Sequence, residues 1–167
     1  IDSAECKAVI KQAKNSGINF IDTAVGYTVS EEDIGEALKE DPHSFFVATK
    51  SMARTYDSMK TDILSSLTRL QRQYIDLYQI HNLGEPDYEL VFSENGALRA
   101  LKEAKEKGLI KAIGITSHNA SVLDKAIDTN EFATIQFPFN IVENQGEDIF
   151  KKAKANGMGT IVMKPLA

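Results

Sequence analysis

The chain has 167 residues, 43% hydrophobic and 26% charged, the balance expected of a globular protein with apolar surface enough for one buried core. A net charge of −5 argues against a nucleic-acid or anionic-membrane surface, and a single cysteine, Cys6, excludes an internal disulfide or a multi-cysteine metal site within these residues. Residues 1–17 carry charges throughout, and no apolar run approaches the roughly 18 residues of a membrane span, so a cytoplasmic protein without a membrane partner is the expectation.

An amphipathic helix is predicted over 3–16, with Ser3 as N-cap and Gly17 just past its end. The run INFID at 18–22 reads as a strand, and Ser30 with Asp33 resembles a capping box opening a helix over 30–40. A second strand, FFVAT at 45–49, precedes a helix over 57–71 with Asp57 as its candidate cap. IDLYQI at 75–80 is the third strand; the segment 82–95, NLGEPDYELVFSEN, is the longest connection and reads either as a loop that shapes substrate binding or as an acidic solvated loop. A helix over 96–108 stops at Gly108, and KAIGIT at 111–116 is the fourth strand. A helix over 120–128, the strand ATIQF at 133–137, a helix over 145–156 stopped by Gly157, and the strand GTIVM at 159–163 complete the pattern.

The strands are short, β-branched or aromatic, and apolar without clean alternation, as strands covered on both faces are. Helices between successive strands imply right-handed crossovers and a parallel sheet. Two architectures satisfy this: an open doubly wound sheet and a closed (β/α)8 barrel. No GxGxxG follows an early strand, which favours the barrel. A complete barrel needs about 250 residues. The expectation is therefore an α/β chain, a (β/α)8 TIM barrel seen as an incomplete barrel with about six strands and six helices. It forms a single domain over 1–167 that lacks the first strand and the last helix–strand–helix portion.

Polar residues collect at the C-terminal ends of these strands. In order they are Asp22 and then Tyr27; Lys50; His81 and Asn82; Thr116, Ser117, His118 and Asn119; Gln136 and Asn140; and Lys164. The N-terminal ends offer Gly17, Ser44, Tyr74, Gly108 and Gly157, residues of turns and helix stops. Each polar residue has an ordinary explanation. Asp22 could cap a turn, Tyr27 could sit at a surface turn, Lys50 could lift its amine to solvent, and His81 could be a hydrogen-bonded core residue. Four residue types of proton chemistry on three successive strand ends make a stronger pattern, because a barrel gathers those ends on its active face. A lysine beside a tyrosine favours the phenolate, and a carboxylate keeps a buried lysine charged. A neutral histidine can donate to a substrate oxygen. Together they describe a proton donor for a carbonyl oxygen, with Tyr27 as general acid. No serine or cysteine nucleophile is evident, so a nicotinamide hydride is the natural partner. Two other readings stay open: a Schiff-base lyase or aldolase using Lys50 or Lys164, and a non-catalytic NADP(H)-binding regulatory subunit.

The stretches NFIDTAVGY–SEEDIGEAL, FVATKS, SLTRLQRQYIDLYQIHN, ALKEAKEKGLIKAIGITSHN, IQFPFN and MKPLA run in order along nearly the whole chain. In them the chain resembles the aldo-keto reductases, a (β/α)8-barrel family that uses NADPH to reduce small-molecule carbonyl compounds. The resemblance implies Tyr27 as general acid/base, Lys50 and Asp22 as the groups that tune it, and His81 as the residue that orients the carbonyl. It places Thr116, Ser117 and Gln136 at the nicotinamide carboxamide, Phe139 against the nicotinamide ring, and Lys164, Pro165 and Leu166 near the pyrophosphate. In many members a Ser-Asn pair holds the carboxamide; here the corresponding stretch is Thr116-Ser117-His118-Asn119. The wording of FPFN, GITSHN and MKPLA is nearest a bacterial and archaeal branch whose members often carry a C-terminal ferredoxin-like iron–sulfur domain; its cysteines would lie downstream of these residues.

Overall fold

The structure, a computed structural model, describes residues 3–166. Six strands form one sheet: β1 (Phe20–Asp22), β2 (Phe46–Ser51), β3 (Ile75–Ile80), β4 (Ile110–Thr116), β5 (Thr134–Pro138) and β6 (Gly159–Met163). Seven α-helices accompany them among the described residues: α1 (Ser3–Asn15), α2 (Ser30–Leu38), α3 (Tyr56–Arg69), α4 (Tyr88–Phe92), α5 (Ala97–Glu106), α6 (Ala120–Asp128) and α7 (Glu147–Ala155). All neighbouring strands are parallel and lie in sequence order, β1 to β6. A doubly wound sheet reverses its order at a switch point. This one never does, so it is an open arc of a (β/α)8 barrel. No helix among the described residues is long and apolar enough to cross a membrane.

Strand alternation sorts the side chains into two layers. Val47, Tyr78, Ile80, Ile113, Ile115, Ile135 and Phe137 are buried in a single apolar cluster with Met59 and Ile63 of α3, Leu101 of α5 and Val122 and Leu123 of α6. The residues of opposite parity line the inner face. Lys50, Gln79, Gly114 and Thr134 stand in register across β2, β3, β4 and β5. That row carries the polar side chains toward the C-terminal end of the sheet.

The helix stops behave as predicted. Gly17, Gly108 and Gly157 adopt φ of 82°, 74° and 74°, a region that costs a Cβ-bearing residue. The three caps are corrected. Ser3 is already helical, so the position ahead of it lies outside the described residues. Val29 occupies the cap position of α2, and the Ser30 hydroxyl instead pairs with Thr23 Oγ1 at 2.8 Å. Thr55 caps α3 by accepting from Ser58 N, while Asp57 sits inside the first turn, where its charge faces the positive helix end. The segment 82–95 is not a solvated loop. It holds a 3-10 helix (Glu85–Asp87) and α4, with Leu83 and Val91 fully buried and Phe92 edge-on to Phe132.

Candidate active site

β1 ends in Asp22, and the chain stays paired for one more step, with Thr23 N donating to Ala48 O (2.9 Å) and Val25 N to Lys50 O (3.0 Å). A turn closed by Tyr27 N to Ala24 O (3.0 Å) then brings Tyr27 back over the end of β2. The Lys50 side chain is 4% exposed; its Nζ donates to Asp22 Oδ2 at 2.6 Å and to Thr23 O at 2.8 Å. A buried ammonium needs this compensation, since desolvation otherwise disfavours the charge. The same Nζ lies 4.9 Å from the centroid of the Tyr27 ring.

His81 continues from β3, with its N–H donating to Ser51 O (2.9 Å). Its ring meets Tyr27 edge to face, with centroids 5.9 Å apart and planes at 87°. Burial, and then the Lys50 ammonium, pushes the His81 pKa down to about 4 against the opposing pull of Asp22. The imidazole is therefore neutral at neutral pH, and its buried Nδ1 has no hydrogen-bond partner among the described residues. Asn82 follows at φ 48°, a left-handed turn held by its own N–H to Thr116 Oγ1 (2.7 Å).

Asp22, Tyr27, Lys50 and His81 share one cavity of about 500 Å³, with Thr116, His118, Gln136, Lys164 and the end of β6 from Ile161 to Met163 along its wall. Of the seven predicted cofactor residues, Thr116, Gln136 and Lys164 border it. Ser117 does not. Its hydroxyl donates to Leu83 O (2.7 Å) and accepts from Asn119 N (2.9 Å), which fastens the β4–α6 loop. Phe139 packs on Phe150, with centroids 5.7 Å apart, and Leu166 is fully exposed. Pro165, too, is exposed and lies off the cavity wall. Asn140 bonds the Lys164 carbonyl (3.1 Å) and so joins the β5 loop to the β6 end.

Two supporting residues escape a reading of strand ends. Arg54 donates to the carbonyls of His81 and Asn82, both at 3.0 Å, and to Asp87 Oδ2 at 3.0 Å, clamping the turn that carries His81. Gln79, fully buried on the inner face of β3, bonds Asp22 and Gln136. A signal for Gln79 does exist: it is a lone amide in an apolar strand, two residues before His81 and so on the same face.

The chain matches the family model described as Aldo/keto reductase family over residues 1–167. It is 32% identical to the aldo-keto reductase YhdN of Bacillus subtilis over 168 residues, covering 92% of this chain and 49% of that protein. It is 28% identical to the NADH-specific methylglyoxal reductase of Escherichia coli, covering 99% of this chain and 58% of that one. A crystal structure from Pseudomonas aeruginosa, assigned to the aldo-keto reductases, superposes with a TM-score of 0.90 at 26% identity, covering 100% of this chain and 69% of that one. The chain thus spans about half the length of the curated relatives it matches.

Proposed function

The chain belongs to the aldo-keto reductase family, and from that premise we propose that the whole protein reduces an aldehyde or ketone to an alcohol, with NADPH as hydride donor and Tyr27 as proton donor. One observation carries the reading: the Lys50 ammonium lies between the Asp22 carboxylate and the Tyr27 ring, with a neutral His81 edge-on to that ring. Reduction at the carbonyl carbon leaves negative charge on the oxygen, and a nearby phenol can neutralise it. Lys50 stabilises the phenolate that remains once Tyr27 has given up its proton. His81, neutral and half-buried, has an N–H to orient the carbonyl oxygen and adds no competing positive charge. Asp22 holds Lys50 in place.

The residues present fit a nicotinamide nucleotide, whose chemistry is the supply of the hydride. The Gln136 amide retains one N–H and one lone pair beyond those it gives to Asp22 and Gln79, which complements a carboxamide. The Thr116 hydroxyl keeps its hydrogen for donation, and Lys164 brings a positive charge to the same wall for a diphosphate. NADPH is the choice that the family resemblance implies. Because the Escherichia coli relative is named for NADH, titration with both nucleotides decides between them. Nothing favours Lys50 as a Schiff-base nucleophile, since its amine is held as an ion pair with Asp22.

The test is Tyr27→Phe in the whole gene product, assayed over a panel of aldehydes and ketones. Turnover should drop by roughly 100-fold or more, the scale of general acid catalysis, while nucleotide affinity holds. Undiminished turnover would remove Tyr27 from the role.

A further inference from the structure

Gln79 sits at the centre of the inner face, in register with Lys50 on one side and Gly114 on the other. Its Nε2 donates to Asp22 Oδ1 (3.2 Å) and to Gln136 Oε1 (3.3 Å). Gln136 Nε2 closes the ring by donating to Asp22 Oδ2 (3.4 Å), the oxygen that also receives Lys50. A carboxylate only accepts, so Asp22 fixes the sense of both amides. Turning Gln79 over would set its carbonyl against Asp22. The sense adopted leaves Gln79 Oε1 buried with no hydrogen-bond partner among the described residues. An orphaned buried carbonyl is destabilising, and a side chain kept only to fill space would do better as an apolar one. The neighbouring strand makes room for it: a Cβ on Gly114 would come within 2.9 Å of Gln79 Cγ.

We propose that Gln79 is a positioning residue, one that ties the Asp22–Lys50 pair to Gln136 and presents the remaining N–H and lone pair of Gln136 in a fixed sense to the nicotinamide carboxamide. The proposal rests on the reductase reading above. Through Asp22 it sets where the Lys50 ammonium stands against Tyr27; through Gln136 it sets how the nicotinamide lies. One amide thereby holds the proton-donating and hydride-donating sides of the site in a common frame.

Gln79→Met keeps the length of the side chain and removes the amide. In the whole gene product it should lower kcat about tenfold, the rate equivalent of one hydrogen bond to a charged group, with little change in the KM of the carbonyl substrate. The Kd of NADPH should rise several-fold, while that of the cofactor's adenosine bisphosphate half, which lacks nicotinamide, stays constant. Wild-type kcat and NADPH affinity in the variant would overturn the proposal. So would equal weakening of both nucleotides, the mark of a general loss of structure. Should Gln79→Met fail to fold, Gln79→Asn, too short to reach both partners, is read by the same split. A wild-type protein that binds no nicotinamide nucleotide would defeat the reductase reading instead. The tie is then judged from the Gln79 side-chain amide protons by NMR: both protected from exchange in the wild type, with the one donated to Gln136 losing protection in Gln136→Met, if it exists, and protection equal in the two proteins if it does not.

Discussion

At the scale of single residues the site depends on which groups are charged. His81 has a folded pKa of about 4 against an ordinary value of 6.5, a shift caused first by burial and then by Lys50. The neutral form is therefore the one the fold favours. Its contribution to stability is complete above about 6.5 and is lost as the pH falls toward about 4, where the folded state must also take up the proton. The same protonation sets two positive charges, His81 and Lys50, into one cavity and would disturb the carbonyl site proposed above. Reductase activity should accordingly fall on the acid side with an inflection near 4, and His81→Gln, which keeps an N–H donor but cannot titrate, should lack it. An unchanged inflection in that variant would assign it to another group. Asp22, Tyr27, Lys50 and His81 were legible in the sequence because each is a polar residue at or just past the end of an apolar run. Gln79 was not, because it lies inside such a run, where only the two-residue period relates it to His81. The direction of Ser117 was hidden for a related reason: it neighbours Thr116, and adjacent residues of a strand end point to opposite sides.

Elements transmit this precision to the site. α2 lies against α3 so closely that a Cβ on Gly35 would stand 2.2 Å from the Arg69 carbonyl oxygen. No rotamer change relieves a clash with backbone. From the same helix, the buried Glu31 accepts from Thr49 Oγ1 (2.7 Å), the residue beside Lys50, and pairs with Arg69 (3.4 Å). Gly35→Ala should therefore cost about 2–3 kcal/mol in urea unfolding, the range of an overpacked core, and should lower reductase activity by more than the fraction unfolded explains, because α2 carries Glu31 away from Thr49. An unaltered unfolding midpoint would mean that the two helices can separate freely. The helices themselves were readable from their 3.6-residue periodicity, but their caps were not. Ser, Thr and Asp are frequent near every helix start, and only backbone geometry decides which of them precedes the first turn. α4 was missed because its five residues are too few to show a period, although Val91 and Phe92 supply the apolar contacts that hold it.

Across the whole molecule the two ends of the sheet do different work. The strand order followed from the regular alternation of strand and helix, since each crossover of one hand places the next strand beside the last. What alternation does not reveal is the polar cluster at the N-terminal end. There Asp76 Oδ2 accepts from Val47 N (2.9 Å) and from Arg72 Nη2 (3.1 Å), while Arg72 Nη1 reaches Phe45 O (3.4 Å). The Arg72 side chain is 1% exposed, and it sews the start of β3 to the start of β2 far from the cavity that holds Tyr27. Arg72→Met strands a buried carboxylate, and the expected loss is about 3–5 kcal/mol. Adding Asp76→Leu removes that charge and should restore part of the stability, but not all of it, because Val47 N then loses its acceptor. In both variants, assayed below their melting temperatures, nucleotide affinity and kcat should match the wild type. A barrel keeps stability at one end of its strands and chemistry at the other, so a fall in kcat among folded Arg72→Met molecules would show that the two ends are coupled through β2 and β3.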